Sequence, residues 1–276
     1  MTYDEAIKTF IKNVEKMGLN TTPFKSFDDL MEILSIEFTN PFLPIHNKEW
    51  QDRENRFIEL TNQYDKELIK ECMACVVEAH ESKDCDFLGE VFMQMSLNDK
   101  KGKAQVFTPY HIGELMSQGC FENKESIDEI IKEKGYISVQ DPCVGGGCLL
   151  IACFNRLKHL GYNPQKVCFF NGCDLDLRCC RMAFIQLSIL GAKARIDHMN
   201  SLTLEHYGSY YTPAFRIGGL DKLNMENIDS EIKEAYEPLR EASKEQLKKA
   251  YKNDKDGYEQ GLKKQIIYNG EQLSLF

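Results

Sequence analysis

The sequence is short of positive charge, and it contains neither a long apolar run nor two adjacent prolines. It has 34 lysines and arginines against 43 aspartates and glutamates, which gives a formal charge of −9. A chain that grips nucleic acid by itself needs a basic surface to neutralise phosphates, so this balance disfavours that class. No apolar stretch approaches the roughly 20 residues of a membrane span, and the polar, acidic start is unlike a signal peptide. We therefore expect a cytoplasmic protein with no membrane partner.

Cysteine, by contrast, is abundant, with eleven residues in the chain. Most of them lie in apolar strand and helix contexts, where a thiol behaves as a small hydrophobic group. Cys72 and Cys75 have the spacing of zinc ligands, but no second pair completes a set of four, and residues 71–80 are typical of a continuous helix. The sequence therefore predicts reduced thiols and no metal site.

The first hundred residues carry the apolar periodicity of helices. In residues 3–17, apolar side chains recur at alternating steps of four and three, and Gly18 follows as a stop signal. We predict an N-terminal helical domain over residues 1–100 that packs on the rest of the fold.

Strand and helix patterns alternate from about residue 136 to residue 202, which predicts a parallel sheet with crossover helices in a core over 101–220. Residues 214–217 have the composition of one more short strand. Residues 221–270 are highly charged, with lysine and glutamate interleaved as on a solvated helix. They form a predicted helical extension, followed by a short tail at 271–276.

A glycine turn in the core is the clearest sign of a binding site. Residues 136–140 alternate and are rich in β-formers, which predicts a strand ending at Asp141. Three consecutive glycines, 145–147, then open an apolar segment with the pattern of a helix. A strand, a glycine turn and a helix together bring the backbone close to a small ligand, because glycine has no Cβ and tolerates positive φ.

Three further segments make this signal specific. Phe107-Thr108-Pro109 precedes the strand, Asp174 closes a second apolar strand, and Asn200-Ser201-Leu202 closes a third. In this order the segments resemble the S-adenosylmethionine (SAM) site of the adenine-N6 DNA methyltransferases, particularly the modification subunits of type I restriction-modification systems. That family's pattern runs Phe-Thr-Pro, Asp-Pro-Ala-Cys-Gly-Ser-Gly, a strand-end acid and Gly-Asp-Ser-Leu. The resemblance covers roughly residues 86–202, and it departs from the pattern at Val144 and Gly146.

The resemblance implies an α/β fold, a Rossmann-like SAM-methyltransferase core, with a sheet truncated by the polar remainder of the chain. In such a core the first aspartate and the glycine turn would face the methionine end of SAM, and the Phe-Thr-Pro segment would close over it. The second-strand acid would bind the ribose hydroxyls, while the residues after it and after the third strand would meet the adenine. The implied cofactor-binding residues are Phe107, Thr108, Pro109, Asp141, Pro142, Gly145, Gly147, Asp174, Leu175 and Asn200.

The family's catalytic motif, Asn, Asp or Ser followed by Pro-Pro and Tyr or Phe, is missing. In that family a side-chain oxygen of the motif polarises adenine N6 in a flipped base, and the aromatic residue stacks on it. The nearest segment here is Thr212-Pro213-Ala214-Phe215, which has a hydroxyl in place of a carbonyl oxygen and alanine in place of the second proline. A second candidate, Asn40-Pro41-Phe42, precedes the SAM motifs as in a permuted order, although a proline turn between two helices is the favoured interpretation.

Three functions follow as hypotheses. The first is a catalytically impaired family member that binds SAM and is recruited to DNA. The second is an active adenine-N6 DNA methyltransferase that uses a variant catalytic loop or borrows one from a partner subunit, through which it also meets DNA. The third is an interaction protein whose SAM site is vestigial.

The tail suggests the means of recruitment. Gln272-Leu273-Ser274-Leu275-Phe276 resembles the pentapeptide that binds the bacterial DNA polymerase sliding clamp. In such a linear motif Leu275 and Phe276 are apolar anchors and Gln272 provides an orienting hydrogen bond. The alternative is that Leu273, Leu275 and Phe276 dock on the protein's own core.

Overall fold

The computed structural model describes residues 1–45, 47–95 and 106–218, together with the single positions 230, 234, 237, 238 and 241. The predicted tail and nearly all of the predicted extension lie outside these residues. The chain divides into two compact units, Met1–Met199 with His206–Leu223, and Asn200–Glu205 with Asn224–Phe276. Every residue that lines the candidate cavity belongs to the first unit.

Within the described residues, five α-helices form the N-terminal part of the first unit. The first begins at a capping box, in which the Thr2 hydroxyl accepts a hydrogen bond from the Glu5 N–H and the Glu5 carboxylate accepts one from the Thr2 N–H. Its predicted apolar face is buried. The five helices are α1 (Tyr3–Met17), α2 (Pro23–Thr39), α3 (Lys48–Thr61), α4 (Lys66–Ser82) and α5 (Phe87–Gln94).

A sheet with flanking helices follows and confirms the predicted α/β fold. Its strands lie in the order β1-β2-β3-β4, with β1 parallel to β2 and β2 parallel to β3. The carboxyl ends of β1 and β2 therefore meet at one edge of the sheet. The elements are α6 (Tyr110–Cys120), α7 (Lys124–Lys134), β1 (Ile137–Asp141), α8 (Cys148–His159), α9 (Pro164–Val167), β2 (Cys168–Asp174), α10 (Leu177–Ile189), β3 (Lys193–Asn200), β4 (Glu205–Tyr211) and α11 (Pro213–Ile217).

The end of the described sheet differs from the sequence prediction. The Thr212 N–H donates to the Ala194 carbonyl at 3.1 Å, and the earlier Ser209 of β4 contacts the later Asp197 of β3, so β4 returns beside β3 and runs antiparallel to it. The short strand predicted at 214–217 is instead the helix α11. Pro213 explains this, because its fixed φ suits the first position of a helix and its missing N–H leaves no donor for a sheet.

The N-terminal helices and the sheet share one hydrophobic core. Phe10 of α1 contacts Phe27 of α2 and Phe87 of α5, and Phe38 of α2 contacts Phe184 of α10 with 6.4 Å between ring centroids. The packing is therefore continuous across residue 100, the boundary predicted between a helical domain and the core. In the described part of the chain, no helix combines the length and the apolarity needed to cross a bilayer.

Candidate cofactor site

The glycine turn joins the end of β1 to the start of α8. The Val144 N–H donates to the Cys173 carbonyl at 2.8 Å, which fixes the turn to the end of β2. Gly145 and Gly147 adopt φ values of +52° and +103°. Both lie in the left-handed region, where side chains with a Cβ are strained, so the conformation of the turn explains why glycine occupies these positions.

A cavity of about 180 Å³ lies against this turn. Its wall brings together the carboxyl ends of β1 and β2, the first turn of α8 and the segment that precedes α6. The lining residues are Val106, Phe107, Thr108, Asp141, Cys143, Val144, Gly145, Gly146, Cys148, Leu149, Asp174 and Cys179.

Asp141 brings an incompletely satisfied carboxylate to the cavity. One oxygen, Oδ1, accepts a hydrogen bond from the Cys143 N–H at 3.0 Å. The other, Oδ2, is buried and has no hydrogen-bond partner among the described residues, while the residue is only 6% exposed. Burial raises the pKa of Asp141. Because buried polar atoms are normally hydrogen-bonded, this oxygen is an unsatisfied acceptor on a residue of the cavity wall.

Asp174 holds the end of β2 to the glycine turn. Its Oδ2 accepts from the Gly145 N–H at 3.0 Å, and its Oδ1 accepts from the Asp176 N–H at 2.9 Å. Burial raises the pKa of Asp174, and the two backbone hydrogen bonds act in the opposite direction. An ionised carboxylate has about four acceptor positions, so two remain for the hydroxyls of a ligand.

Backbone donors complete the polar side of the cavity. The N–H groups of Gly146, Cys148 and Leu149 have no acceptor among the described residues. The last two belong to the first turn of α8, where unpaired N–H groups and the helix dipole favour an anionic group. The apolar side is formed by Phe107, whose ring packs edge-on against Phe92 at 5.1 Å and would lie 3.3 Å from a Cβ at Gly145.

The structure brings together Phe107, Thr108, Asp141, Gly145 and Asp174 in the cavity wall. The other predicted binding residues lie beside it or elsewhere. Pro142 and Gly147 are in the turn, Pro109 is the N-cap of α6, and the Leu175 carbonyl is 3.1 Å from His198 Nε2. Asn200 belongs to the second compact unit, where its Oδ1 accepts from the N–H groups of Leu202 and Thr203.

The sequence did not identify the cysteines in the wall. Cys143 is exposed, whereas Cys148 and Cys179 are buried, and burial raises the pKa of Cys148 to about 12. Position alone could have indicated the first two, because Cys143 lies inside the glycine-turn motif and Cys148 directly follows it. Cys179 lies in the first turn of α10, after the second-strand acid.

The predicted catalytic residues Thr212, Pro213 and Phe215 do not line the cavity. The Thr212 side chain is fully buried, donates to the Ala192 carbonyl at 2.7 Å and accepts from the Ala194 N–H at 2.9 Å. Pro213 begins α11, and the Phe215 ring packs on Phe169 at the start of β2.

The separation follows from the direction of β4. Ala194 is the register partner of Phe170, and Asp174 lies four residues further along β2 (174 − 170), a rise of about 13 Å. Thr212 therefore lies at the amino edge of the parallel strands, whereas the cavity lies at their carboxyl edge. A strand that returned antiparallel could not place its end beside the glycine turn.

The second candidate, Asn40, is also distant from the cavity. Helix α2 runs alongside α10 in the same direction, because Asp28 pairs with Arg178 and Glu32 lies 3.5 Å from Arg181. Asn40 lies twelve residues beyond Asp28 (40 − 28), a helical rise of about 18 Å away from the cavity edge. Its Nδ2 donates to Glu54 at 3.0 Å, and its Oδ1 is buried without a partner among the described residues.

Cys72 and Cys75 are buried in α4. Burial raises the pKa of both thiols, that of Cys75 to about 11, which disfavours the thiolate that zinc requires. Within the described ranges, no group of three or more histidine, cysteine, aspartate or glutamate side chains is placed to hold a metal ion.

Comparison with known proteins gives a family-level likeness. Residues 83–218 match the family described as N-6 DNA Methylase. No curated protein matches the chain. Among solved structures, the chain is similar to a Listeria monocytogenes protein provisionally assigned to the class I S-adenosylmethionine-dependent methyltransferases, with 14% identity, a TM-score of 0.37, and coverage of 78% of this chain and 69% of the other. A TM-score this low supports no inference from that protein.

Proposed function

We propose that this chain binds SAM in the cavity beside the glycine turn, as a SAM-dependent methyltransferase-like protein of the N-6 DNA methylase type. The observation that carries the proposal is the buried, unpaired Oδ2 of Asp141, a residue that lines the same cavity as Cys148 and Leu149. The methionine end of SAM carries an ammonium and a carboxylate. An unpaired acceptor and unpaired donors at a helix N-terminus are the complement of those two charges.

Calorimetric titration of the full chain with SAM tests the proposal. We expect binding, and we expect Asp141→Asn to weaken it about 10- to 150-fold, because a hydrogen bond to a charged group contributes about 1.5–3 kcal/mol. Asp29→Asn is the matched control, since Asp29 is also a buried carboxylate but pairs with Lys25 and Tyr64 in the helical part.

The control should retain the wild-type affinity. No heat at millimolar SAM with folded wild-type protein would show that the cavity is not a SAM site. Equal SAM affinities for the wild type and Asp141→Asn would show that Asp141 does not contribute to SAM binding.

We infer further that the isolated chain methylates adenine weakly or not at all. Neither Thr212 nor Asn40 lies at the cavity edge where a methyl group would be presented. The experiment is transfer of radiolabelled methyl groups to DNA of mixed sequence. Label in adenine that disappears with Asp141→Asn would contradict the proposal and favour an active enzyme.

A second candidate function is an enzyme completed by another chain. It is favoured by the position of β1, which within the described residues pairs only with β2. A strand from a partner subunit could join at that edge and bring a catalytic loop to the glycine turn. Activity that arises only on addition of a co-purified partner would support this candidate over an impaired or vestigial protein.

We also propose that the segment at 272–276 binds the bacterial sliding clamp and brings the protein to DNA despite its net charge of −9. The support is the pentapeptide itself, with Gln272, Leu273, Leu275 and Phe276 in the order of the clamp-binding motif. Two apolar anchors and one polar contact in a short extended segment are compatible with micromolar affinity, roughly −8 kcal/mol.

The test is a pull-down and a titration of the full chain with purified clamp, beside a Leu275→Ala/Phe276→Ala variant. We expect the variant to lose binding and to keep the wild-type melting temperature. A lower melting temperature, together with no clamp binding by the wild type, would instead place the anchors on the protein's own core.

A further inference from the structure

A buried amide, Gln186 of α10, connects the N-terminal helices to the glycine turn. Its Nε2 donates to the Gly146 carbonyl at 2.7 Å and to Asp86 Oδ1 at 2.8 Å. Its Oε1 accepts from the Leu88 N–H at 3.1 Å and lies 3.1 Å from His80 Nε2. A side-chain amide has two donor hydrogens and two acceptor positions, so all four are used.

The other side chain in this cluster is Asp86, which precedes α5. Its carboxylate accepts from the Gly89 N–H at 2.9 Å and is enclosed between two glycines. A Cβ on Gly89 would lie 2.2 Å from Asp86 Oδ2, and a Cβ on Gly146 would lie 3.0 Å from both oxygens. The packing therefore holds the turn against the start of α5 through Asp86 and Gly89, which do not line the cavity.

The cluster joins three segments that are distant in the sequence. Gln186 is 40 residues from Gly146, 100 from Asp86 and 106 from His80. Gln186 and Asp86 are both almost wholly buried, at 0% and 4% exposed. In a low-dielectric interior a fully satisfied polar cluster of this kind specifies one arrangement of the segments that it joins.

We propose that Gln186 and Asp86 are positioning residues for the ligand: by fixing the Gly146 carbonyl, they set the conformation of the glycine turn and so the direction of the backbone N–H groups of the cavity wall. This deepens the proposed function and rests on it. It assigns a binding role to the N-terminal helices, which provide no chemistry of their own. A peptide plane is rigid, so fixing the carbonyl of Gly146 also fixes the Gly147 N–H, which donates to the Val144 carbonyl at 2.8 Å and closes the turn.

The decisive variant is Gln186→Met, which keeps the length of the side chain and removes every hydrogen bond. We expect SAM affinity to fall at least tenfold and backbone amide exchange in the turn peptide that contains residues 145–147 to accelerate in the unliganded protein. Asp86→Asn retains an acceptor for Gln186 and Gly89 and should stay within about threefold of wild type.

Asn13→Leu is the control for general destabilisation. Asn13 is 2% exposed and donates to Glu71 between α1 and α4, far from the turn in the chain. It should lower the melting temperature while the SAM affinity and the exchange of the turn stay unchanged. If Gln186 had only a structural role, Gln186→Met would likewise lower the melting temperature without changing the SAM affinity or the exchange of the turn.

If Gln186→Met is not folded, Gly146→Ala tests the same contact from the side of the loop, because its methyl group meets the Asp86 carboxylate. A folded Gln186→Met or Gly146→Ala protein with wild-type exchange in the turn would overturn the proposal. If wild-type protein binds no SAM, the proposed function fails, and amide exchange alone then decides on the positioning role.

Discussion

Acidification should destabilise this protein through the buried imidazole of His80. His80 lies largely buried in α4, with Nε2 3.1 Å from Gln186 Oε1, and burial lowers its pKa from 6.5 to about 4. The native state therefore resists protonation at a pH where the unfolded chain accepts a proton. The stability contributed by neutral His80 is fully present above pH 6.5 and is lost as the pH falls toward 4.

The size of the effect follows from the two pKa values. Linkage between 6.5 in the unfolded chain and about 4 in the native protein gives a loss of about 2 kcal/mol in the free energy of unfolding between pH 7.5 and pH 5. Natural domains have only about 5–15 kcal/mol in total, so this loss is measurable in a denaturant titration.

Three buried carboxyls act in the opposite direction. Burial raises the pKa values of Asp86, Asp141 and Asp174, so the native state holds those protons more tightly than the unfolded chain does. As the pH falls through these raised pKa values, their contribution to stability increases. The pH dependence of the wild-type stability therefore combines opposing contributions. The contribution of His80 is obtained by comparing the wild type with a variant that lacks this imidazole.

The variant His80→Gln isolates the contribution of His80, because the new amide can still donate to Gln186 Oε1 but does not titrate. The assay is urea unfolding followed by circular dichroism at pH 7.5, 6 and 5, for wild type and variant. We expect the wild type to lose about 2 kcal/mol more free energy of unfolding than the variant between pH 7.5 and pH 5. Parallel profiles would refute the reasoning, since they would mean that His80 takes up protons equally in both states.

Three further predictions concern the glycine turn, the displaced segment and the cavity carboxylate. Gly147→Ala should lower the free energy of unfolding by about 1–3 kcal/mol in urea titrations, because φ is +103° there and a Cβ would lie 3.3 Å from Ala183. Thr212→Val should cost about 1–3 kcal/mol by leaving the buried Ala192 and Ala194 backbone groups unpaired. Its SAM affinity should equal that of the wild type, and a weaker affinity would return Thr212 to the site. SAM affinity should fall as the pH falls through the raised pKa of Asp141, because only the ionised carboxylate attracts the ammonium, and calorimetry should find this dependence reduced in Asp141→Asn.

The sequence predicted the elements whose determinants are local. The end of β1 at Asp141, the turn and the start of α8 follow from alternation, from consecutive glycines and from an apolar segment, all within about fifteen residues. Asp174 could be placed at the same edge because parallel strands end together. These signals do not depend on what the distant parts of the chain do.

The features that the sequence did not predict depend on contacts between distant residues. The direction of β4 is fixed by Thr212 pairing with Ala194, and no local pattern reports that pairing. Gln186 lies in an apolar helix, where its role is visible only once Gly146 and Asp86 are beside it. The incorrect strand at 214–217 arose because a short apolar run fits a strand and a helical turn equally well.

The core shared by the N-terminal helices and the sheet limits how this protein could be divided or recombined. A fragment beginning near residue 101 would expose the surfaces that Phe87 and Phe92 cover. It would also leave Gln186, which holds the Gly146 carbonyl, without its partners Asp86 and Leu88. Such a fragment contains every residue of the cavity wall but lacks the helices that pack against the glycine turn. Exchange of the sheet region between relatives would therefore preserve the shape of the cavity only if the helices that precede it were exchanged as well.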